Sequence, residues 1–367
     1  MAIQTAPTTA SVHRIPWRAI GIGALAIFFV VFLAVPLWKI ILEMIANPQL
    51  LLRQLVIGLT NGAYIALIAL GYTMVYGIVE LINFAHGDLY MLGAFFSLTL
   101  VGLFALTPET PVALRIALML VILVASMAFC ATLNVTADRI VYRRLRGGSL
   151  RLAALISAIG LSFIFQNIGL LWGYLRFPAL NGVMGTNAVA PKSYPQLIPN
   201  DNLLEGIVPI RFTLKDLVVI TVSSILLVAL YIFVQRTRLG KAMRATAQDR
   251  EAAALMGINV NRTISLAFLL GGALAGASGM LVGMYNGTVV FDMGFTAGLR
   301  SFTAAVLGGI GNIVGAMLGG LLIGLISALS DQYIGSKWTN AVVFSILVLI
   351  LVFRPTGLLG ENVGQKA

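Results

Sequence analysis

Charge is what this chain most lacks. Only 10% of its 367 residues are Asp, Glu, Lys or Arg, against about 25% in a typical soluble domain. With 59% hydrophobic residues and a mean hydropathy of +0.97, it has too little polar surface to cover a water-soluble globule. Cysteine is nearly missing too. The single Cys130 excludes an internal disulfide and, in an apolar segment, reads as a small packing residue. Histidine occurs only as His13 and His86, which leaves a metal site short of ligands. No G-x-x-x-x-G-K-[ST] phosphate loop occurs, so the chain itself is not expected to hydrolyse a nucleotide. Acidic residues stay out of the centres of the apolar runs; Glu43, Glu80 and Asp88 all sit at ends. This argues against a proton- or sodium-driven carrier, which generally needs ionisable or coordinating groups near the midplane.

What the chain has in abundance is apolar runs. They lie at roughly 19–42, 54–79, 89–106, 112–137, 152–175, 214–235, 263–285, 296–307, 313–330 and 339–354. About 20 residues cross a hydrocarbon core of roughly 30 Å. The expected fold is all-α, a polytopic helical membrane protein with about 8–10 transmembrane helices. The run at 296–307 is too short for a full crossing and reads as a half-helix or re-entrant segment. Arg14 and Arg18 precede the first run, which is longer than a signal core and lacks a clear small-x-small cleavage site; it reads as a retained helix.

The net charge of +11 could suggest nucleic acid, but in a membrane chain it follows the positive-inside bias. Segments 1–18, 138–151, 236–262 and 354–367 hold 15 of the 24 Lys and Arg residues. The expected topology therefore puts both termini in the cytoplasm and the loop 176–213, whose only basic residues are Arg176, Lys192 and Arg211, outside.

Glycine is placed in order. Gly272 and Gly276, then Gly279, Gly283 and Gly287, then Gly311, Gly315 and Gly319 recur at four-residue spacing, which lets two helix backbones approach closely. "GGIGN" (308–312) instead breaks a helix. A helix pair joined by a polar or Gly-rich break occurs around 80–88 and again around 308–312, which raises an internal inverted repeat.

"LINFAHGDLY" (81–90) sets Asn83, His86 and Asp88 between two apolar runs. Asp88 precedes the run from Leu89, where its carboxylate is expected to cap the helix and meet its positive end. Gly87 allows a tight reversal, and Asn83 tolerates the left-handed conformation that closes a helix. The readings are a capping turn or a gate. In the second run Asn61, Tyr64, Tyr72 and Tyr76 fall in one sector of a helix, a polar stripe that either lines a wetted path or bonds to neighbouring helices. Gln166 and Asn167, beside Ser162, pose the same choice.

The loop 236–262 contains "QDREAAALMGINVNR" (248–262). Glu251 to Met256 is a short helix former ended by Gly257. Such a helix would present Leu255 and Met256 alongside Arg244, Arg250 and Glu251, a face suited to another protein's groove or to anionic membrane lipid.

These residues carry a resemblance. "EAAALMG" (251–257) is similar to the EAA-x-x-x-G loop of ABC-importer permeases. "ALGYTMVYGIVELINFAHGDLYMLGAF", "LISAIGLSFIFQN" and "SFTAAVLGGIGNIVGAMLGG", in that order, resemble the LivH-type permease of high-affinity branched-chain amino-acid importers, over about residues 52–360. The resemblance implies a permease domain at 50–360, preceded by an extra N-terminal helix in 1–49 and followed by a tail, 361–367. It implies a bacterial inner-membrane importer with a second related permease, two ABC ATPases that bind ATP and Mg, and a periplasmic substrate-binding protein, with no cofactor in this chain. Arg244, Asp249, Glu251, Ala252 and Gly257 then belong to the ATPase-coupling loop. Asn83 and His86 become gate or interface residues. Uptake of urea, short amides or other amino acids is a rival within the family. A facilitative channel or secondary carrier is the rival of another class.

Overall fold

The computed structural model describes residues 38–81, 83–145, 151–174, 181–184, 187–206 and 210–360, with only the backbone for Arg151, Asn181 and Gly182. His13, Arg14, Arg18, most of the expected first span and the tail 361–367 lie outside them. The chain divides into two compact units, Met1–Leu51 and Leu52–Ala367. In the first, residues 38–46 are helical and expose Trp38, Ile41, Leu42 and Ile45.

From Pro48 onward the described chain is mostly helical. In order come α1 (Pro48–Val79), α2 (His86–Leu103), α3 (Val112–Ala137), α4 (Arg151–Trp172), α5 (Leu214–Arg236), α6 (Arg238–Gln248), α7 (Arg250–Leu255), α8 (Val260–Asn286), α9 (Met293–Gly308), α10 (Ile313–Ser330) and α11 (Thr339–Phe353). The α3 helix runs on through a π turn, Asp138–Tyr142, and α10 through another, Asp331–Gly335. A two-residue antiparallel ladder joins β1 (Lys192–Ser193) to β2 (Thr288–Val289). Among the described residues seven helices are long and apolar enough to cross a membrane: α1, α2, α3, α4, α5, α8 and α10. Both remaining apolar helices are shorter. At 16 residues, α9 extends only about 24 Å.

Small residues decide how these helices meet. Central α8 packs against α2 and α3 through its glycines. A methyl group at Gly272 would lie 2.9 Å from Ala131 Cα, and one at Gly279 2.7 Å from Ala94 N. The α1 and α10 helices run antiparallel in the same manner, with Gly62 against Leu321 Cα at 2.8 Å and Gly58 against Leu325 Cα at 2.8 Å. Close backbones gain dispersion contacts where lipid gives no hydrophobic drive. Cys130 fits this seam, its thiol donating to the Leu89 carbonyl at 3.2 Å.

The reversal between α1 and α2 differs from the expected one. Glu80, not Asn83, takes the left-handed conformation (φ 56°) that ends α1. Gly87 is no turn residue: it lies inside α2, where a methyl group would be 2.6 Å from Gly298 Cα of α9. Asp88 does not cap α2 either. The residue before the helix is Ala85, already helical in φ and ψ, and no side chain bonds the free N–H groups. Asp88 sits one turn in, favourably for the helix dipole but with its carboxylate turned elsewhere.

Candidate functional site

The reversal is an interior feature: Asn83 is 3% exposed, His86 1% and Asp88 0%. Asn83 Oδ1 accepts from the Tyr142 hydroxyl at 2.7 Å, and its Nδ2 donates to Asn134 Oδ1 at 3.4 Å. Asn134 Nδ2 in turn donates to the Phe268 carbonyl at 2.7 Å. This chain of bonds ties the reversal to α3, its π turn and α8. The π turn brings both Asp138 and Tyr142 inward, and Asp138 Oδ2 accepts from Ser265 of α8 at 2.7 Å.

The His86 ring lies on Gly71 of α1, where any side chain would collide with it, and within ordinary contact of Gly271 of α8. Tyr72 meets that ring edge-on at 4.9 Å and Phe302 at 6.1 Å. Tyr76, Phe302, Ala305 and Ile310 complete a void of only about 10 Å³ beside Tyr72. The expected polar stripe is thus divided. Asn61 and Tyr64 are half-buried, whereas Tyr72 is buried among aromatic rings.

Asp88 Oδ2 accepts from Ser162 of α4 at 2.5 Å, and Gln166 donates to the same Ser162 oxygen at 3.5 Å. Gln166 therefore joins the interior network. Asn167 does not: it is exposed and returns its amide to the Phe163 carbonyl at 2.8 Å on its own helix.

The segment between α5 and α8 is a built structure. Thr237 caps α6, and Asp249 Oδ1 caps α7 by accepting from Glu251 N at 2.8 Å and Ala252 N at 3.0 Å. Gly257 closes α7 in the left-handed region (φ 83°), with Gly257 N bonded to Ala254 O and Ile258 N to Ala253 O, both at 3.0 Å. Arg250 turns away from the outer face and is half-buried, whereas Arg244 stays exposed as expected. Arg250 Nε and Nη2 donate to the Ile78 carbonyl at 3.2 and 2.7 Å, and Arg244 donates to the Val234 carbonyl and to Gln235 Oε1. Each arginine ties the segment to the end of a spanning helix. The outer face is left to Glu251, Ala252, Leu255 and Met256, the last two 88% and 83% exposed.

At the opposite end of α8 lies a feature absent from the sequence expectations, a cavity of about 680 Å³ lined by Arg53, Arg211, Lys215, Asp216, Tyr285 and the 193–200 loop among others. Asp216 anchors it. Its Oδ2 accepts from Thr213 N (2.9 Å) and Oγ1 (2.5 Å) in a capping box, and its Oδ1 from Thr60 Oγ1 (3.0 Å) and Tyr285 OH (2.9 Å). With both oxygens engaged, the cavity's available charge is cationic. Tyr194, in the lining loop, has its phenol pushed up to about 12 by burial and stays protonated. Thr213-x-x-Asp216 ahead of an apolar run was the readable signal.

Comparison with known proteins bears on both ends. A family described as branched-chain amino acid transport system / permease component matches residues 54–352. The chain is 41% identical over 320 residues to the high-affinity branched-chain amino acid transport system permease protein BraD of Pseudomonas aeruginosa, covering 86% of this chain and 97% of that protein. It is 39% identical over 315 residues to the corresponding permease protein LivH of Escherichia coli, with the same coverage. A more distant similarity, 27% over 215 residues, links 55% of the chain to 59% of the autoinducer 2 import system permease protein LsrC of Yersinia enterocolitica. No solved structure matches the chain significantly. Seven spanning helices and a family match over most of the chain make this multi-pass membrane protein a member of the permease-component family of branched-chain amino acid transport systems.

Proposed function

We propose that this permease forms one half of the translocation unit of an ATP-driven importer for branched-chain amino acids. A second related permease supplies the other half, two ABC ATPases bind ATP and Mg and do the work, and a periplasmic binding protein delivers the cargo. The protein sits in the bacterial inner membrane with both termini in the cytoplasm, the α6–α7 segment facing the ATPase and the cationic cavity facing the periplasm. The observation that carries the reading is the α7 tip: Leu255 and Met256 stand in the open on a helix capped at both ends and bound to α1 through Arg250, while Arg244 binds the preceding α6 to α5. A rigid apolar knob of this kind suits a groove on another protein, and its tethers suit the passage of force into α1 and α5.

The test is purification of the complete transporter with Leu255→Asp and Met256→Asp together. The ATPase should be lost from the complex and uptake abolished, with membrane insertion unchanged. Gly257→Val strains a left-handed residue by about 1–2 kcal/mol and should uncouple ATP hydrolysis from uptake. Unchanged uptake in both, or leucine transport by the lone chain in ATP-free liposomes, would defeat the reading in favour of a facilitative channel or carrier. The similarity to an autoinducer 2 permease favours a second reading of the cargo alone, in which the binding protein selects a different small solute. Binding measurements on that protein decide between them.

A further inference from the structure

The cavity at the start of α5 carries more positive charge than its own contacts use. Three cations line it: Arg53 of α1, Arg211 just before α5 and Lys215 in the first turn of α5. Against them stands one acid, Asp216, whose two oxygens already accept from Thr213, Thr60 and Tyr285. Among the described residues no carboxylate lies within ion-pair distance of the three cations, and none of their side chains donates a hydrogen bond.

Arg53 and Arg211 are exposed, and water solvates them. Lys215 is in a different position. It is only 7% exposed and lines the cavity, so the little surface it keeps opens there. Burying a cation without a partner is costly. The charge of Arg211 reaches Lys215 as well as that of Asp216, so the acid does not cancel the local excess. Ile57, Pro195 and Tyr285 give the same cavity apolar wall, the Tyr285 hydroxyl being already bound to Asp216. At about 680 Å³ the space falls in the range of small-molecule sites, about 300–1,000 Å³. A buried, unpaired cation beside apolar surface suits a small anion with an apolar body.

We propose that this cavity receives the amino acid as it enters the permease, with Lys215 and Arg211 holding its carboxylate against the apolar wall. The proposal rests on the importer reading above and names how the cargo is recognised on arrival. The α-carboxyl group of leucine is ionised at neutral pH, and its branched side chain matches Ile57 and Pro195. An anionic lipid headgroup presents the same charge, and the test separates the two.

The test is equilibrium binding of radiolabelled leucine to the complete transporter in nanodiscs of zwitterionic lipid, then uptake in proteoliposomes with the binding protein. Isocaproate, which keeps the carboxylate and lacks the amine, should displace bound leucine; leucinamide, which lacks the carboxylate, should not. Lys215→Gln should weaken binding about 30-fold or more, as expected when one partner of a desolvated charge pair is removed, and Lys215→Arg should restore part of it. Arg211→Gln, at an exposed position, should weaken binding about two- to fivefold, and more at low salt than at high salt. Its melting temperature and subunit stoichiometry should stay at wild type, so this variant decides the matter if Lys215→Gln fails to assemble. Both variants should lower the maximal uptake rate while the half-saturating concentration of binding protein stays constant. A rise in that concentration with an unchanged maximal rate overturns the proposal and makes the cavity a dock for acidic side chains of the binding protein. Leucine bound equally by wild type and variants, or displaced equally by leucinamide, also overturns it. So does the absence of leucine binding together with a melting temperature that phosphatidylglycerol raises in the wild type and not in Lys215→Gln, which assigns the cavity to a lipid headgroup. Leucine bound through Lys215 by a transporter that imports no amino acid removes the importer reading and leaves the site; import without leucine at Lys215 does the reverse.

Discussion

The inner helices α1, α2 and α8 and the outer helices α3, α4 and α5 follow opposite rules. Within the protein, 83%, 78% and 78% of the spanning windows of the first three are buried, against 28% for each of the others. Yet α5 is the most hydropathic of the six and α2 the least. In water the ranking would run the other way. In a bilayer, lipid solvates large aliphatic side chains as well as protein does, so Ile156, Phe163, Ile225 and Val228 face outward without cost. The interior is claimed by residues that let backbones touch or that need a polar partner. Burial here is announced by glycine, serine and asparagine.

The largest effect should come from adding bulk on the two sides of that divide. Gly276 in α8 faces the backbone of Ser126 and Cys130 Cβ at 3.1 Å, whereas Gly160 in α4 has nothing within 4 Å of the same added carbon. Overpacking ordinarily costs about 1–3 kcal/mol. Gly276→Leu should exceed that, because the obstacle is main chain in a second helix and cannot rotate away. Folded yield and melting temperature in detergent should collapse for Gly276→Leu and stay at wild type for Gly160→Leu. Equal loss in both would erase the inner–outer distinction.

A smaller effect is expected at Asp216, where the interior rule is polar rather than steric. Four donors converge on its two oxygens, from Thr213, Thr60 and Tyr285. Asp216→Ala removes the cap of α5 and strands those donors, at about 1–3 kcal/mol. Asp216→Asn should be milder, since hydroxyls at Thr60 and Tyr285 can rotate to accept. Thermal unfolding of the two variants separates them. If Ala and Asn behave alike, the donors find water in the adjoining cavity and Asp216 is not the anchor assigned here.

The same divide explains what could be read in the sequence. Apolar run lengths placed the spanning helices, including the short α9, because hydrocarbon thickness acts on each helix alone. Gly257 was legible as a helix stop because capping is local. Asp88 was misread by the same logic: capping needs extended backbone before the helix, and Ala85 is helical. The bonds that Arg244 and Arg250 make were not legible, because their acceptors, Val234 and Ile78, belong to other helices. Asp216 meets Thr60 and Tyr285 across 156 and 69 residues, and no periodicity encodes such a partnership.

The smallest effect separates two adjacent amides. Gln166 and Asn167 look alike in sequence, yet Gln166 reaches Ser162 and, through it, Asp88, while Asn167 is exposed and bonded only to its own helix. An amide that returns its N–H to the preceding turn contributes no contact between helices. Asn167→Leu should therefore shift stability by less than about 0.5 kcal/mol and leave leucine uptake at wild type. Gln166→Leu leaves Ser162 without that donor and alters the surroundings of a buried carboxylate, so uptake should slow with assembly retained. Uptake lost on Asn167→Leu would mean that the exposed face of α4 is a working surface, and that for this helix outward does not mean lipid.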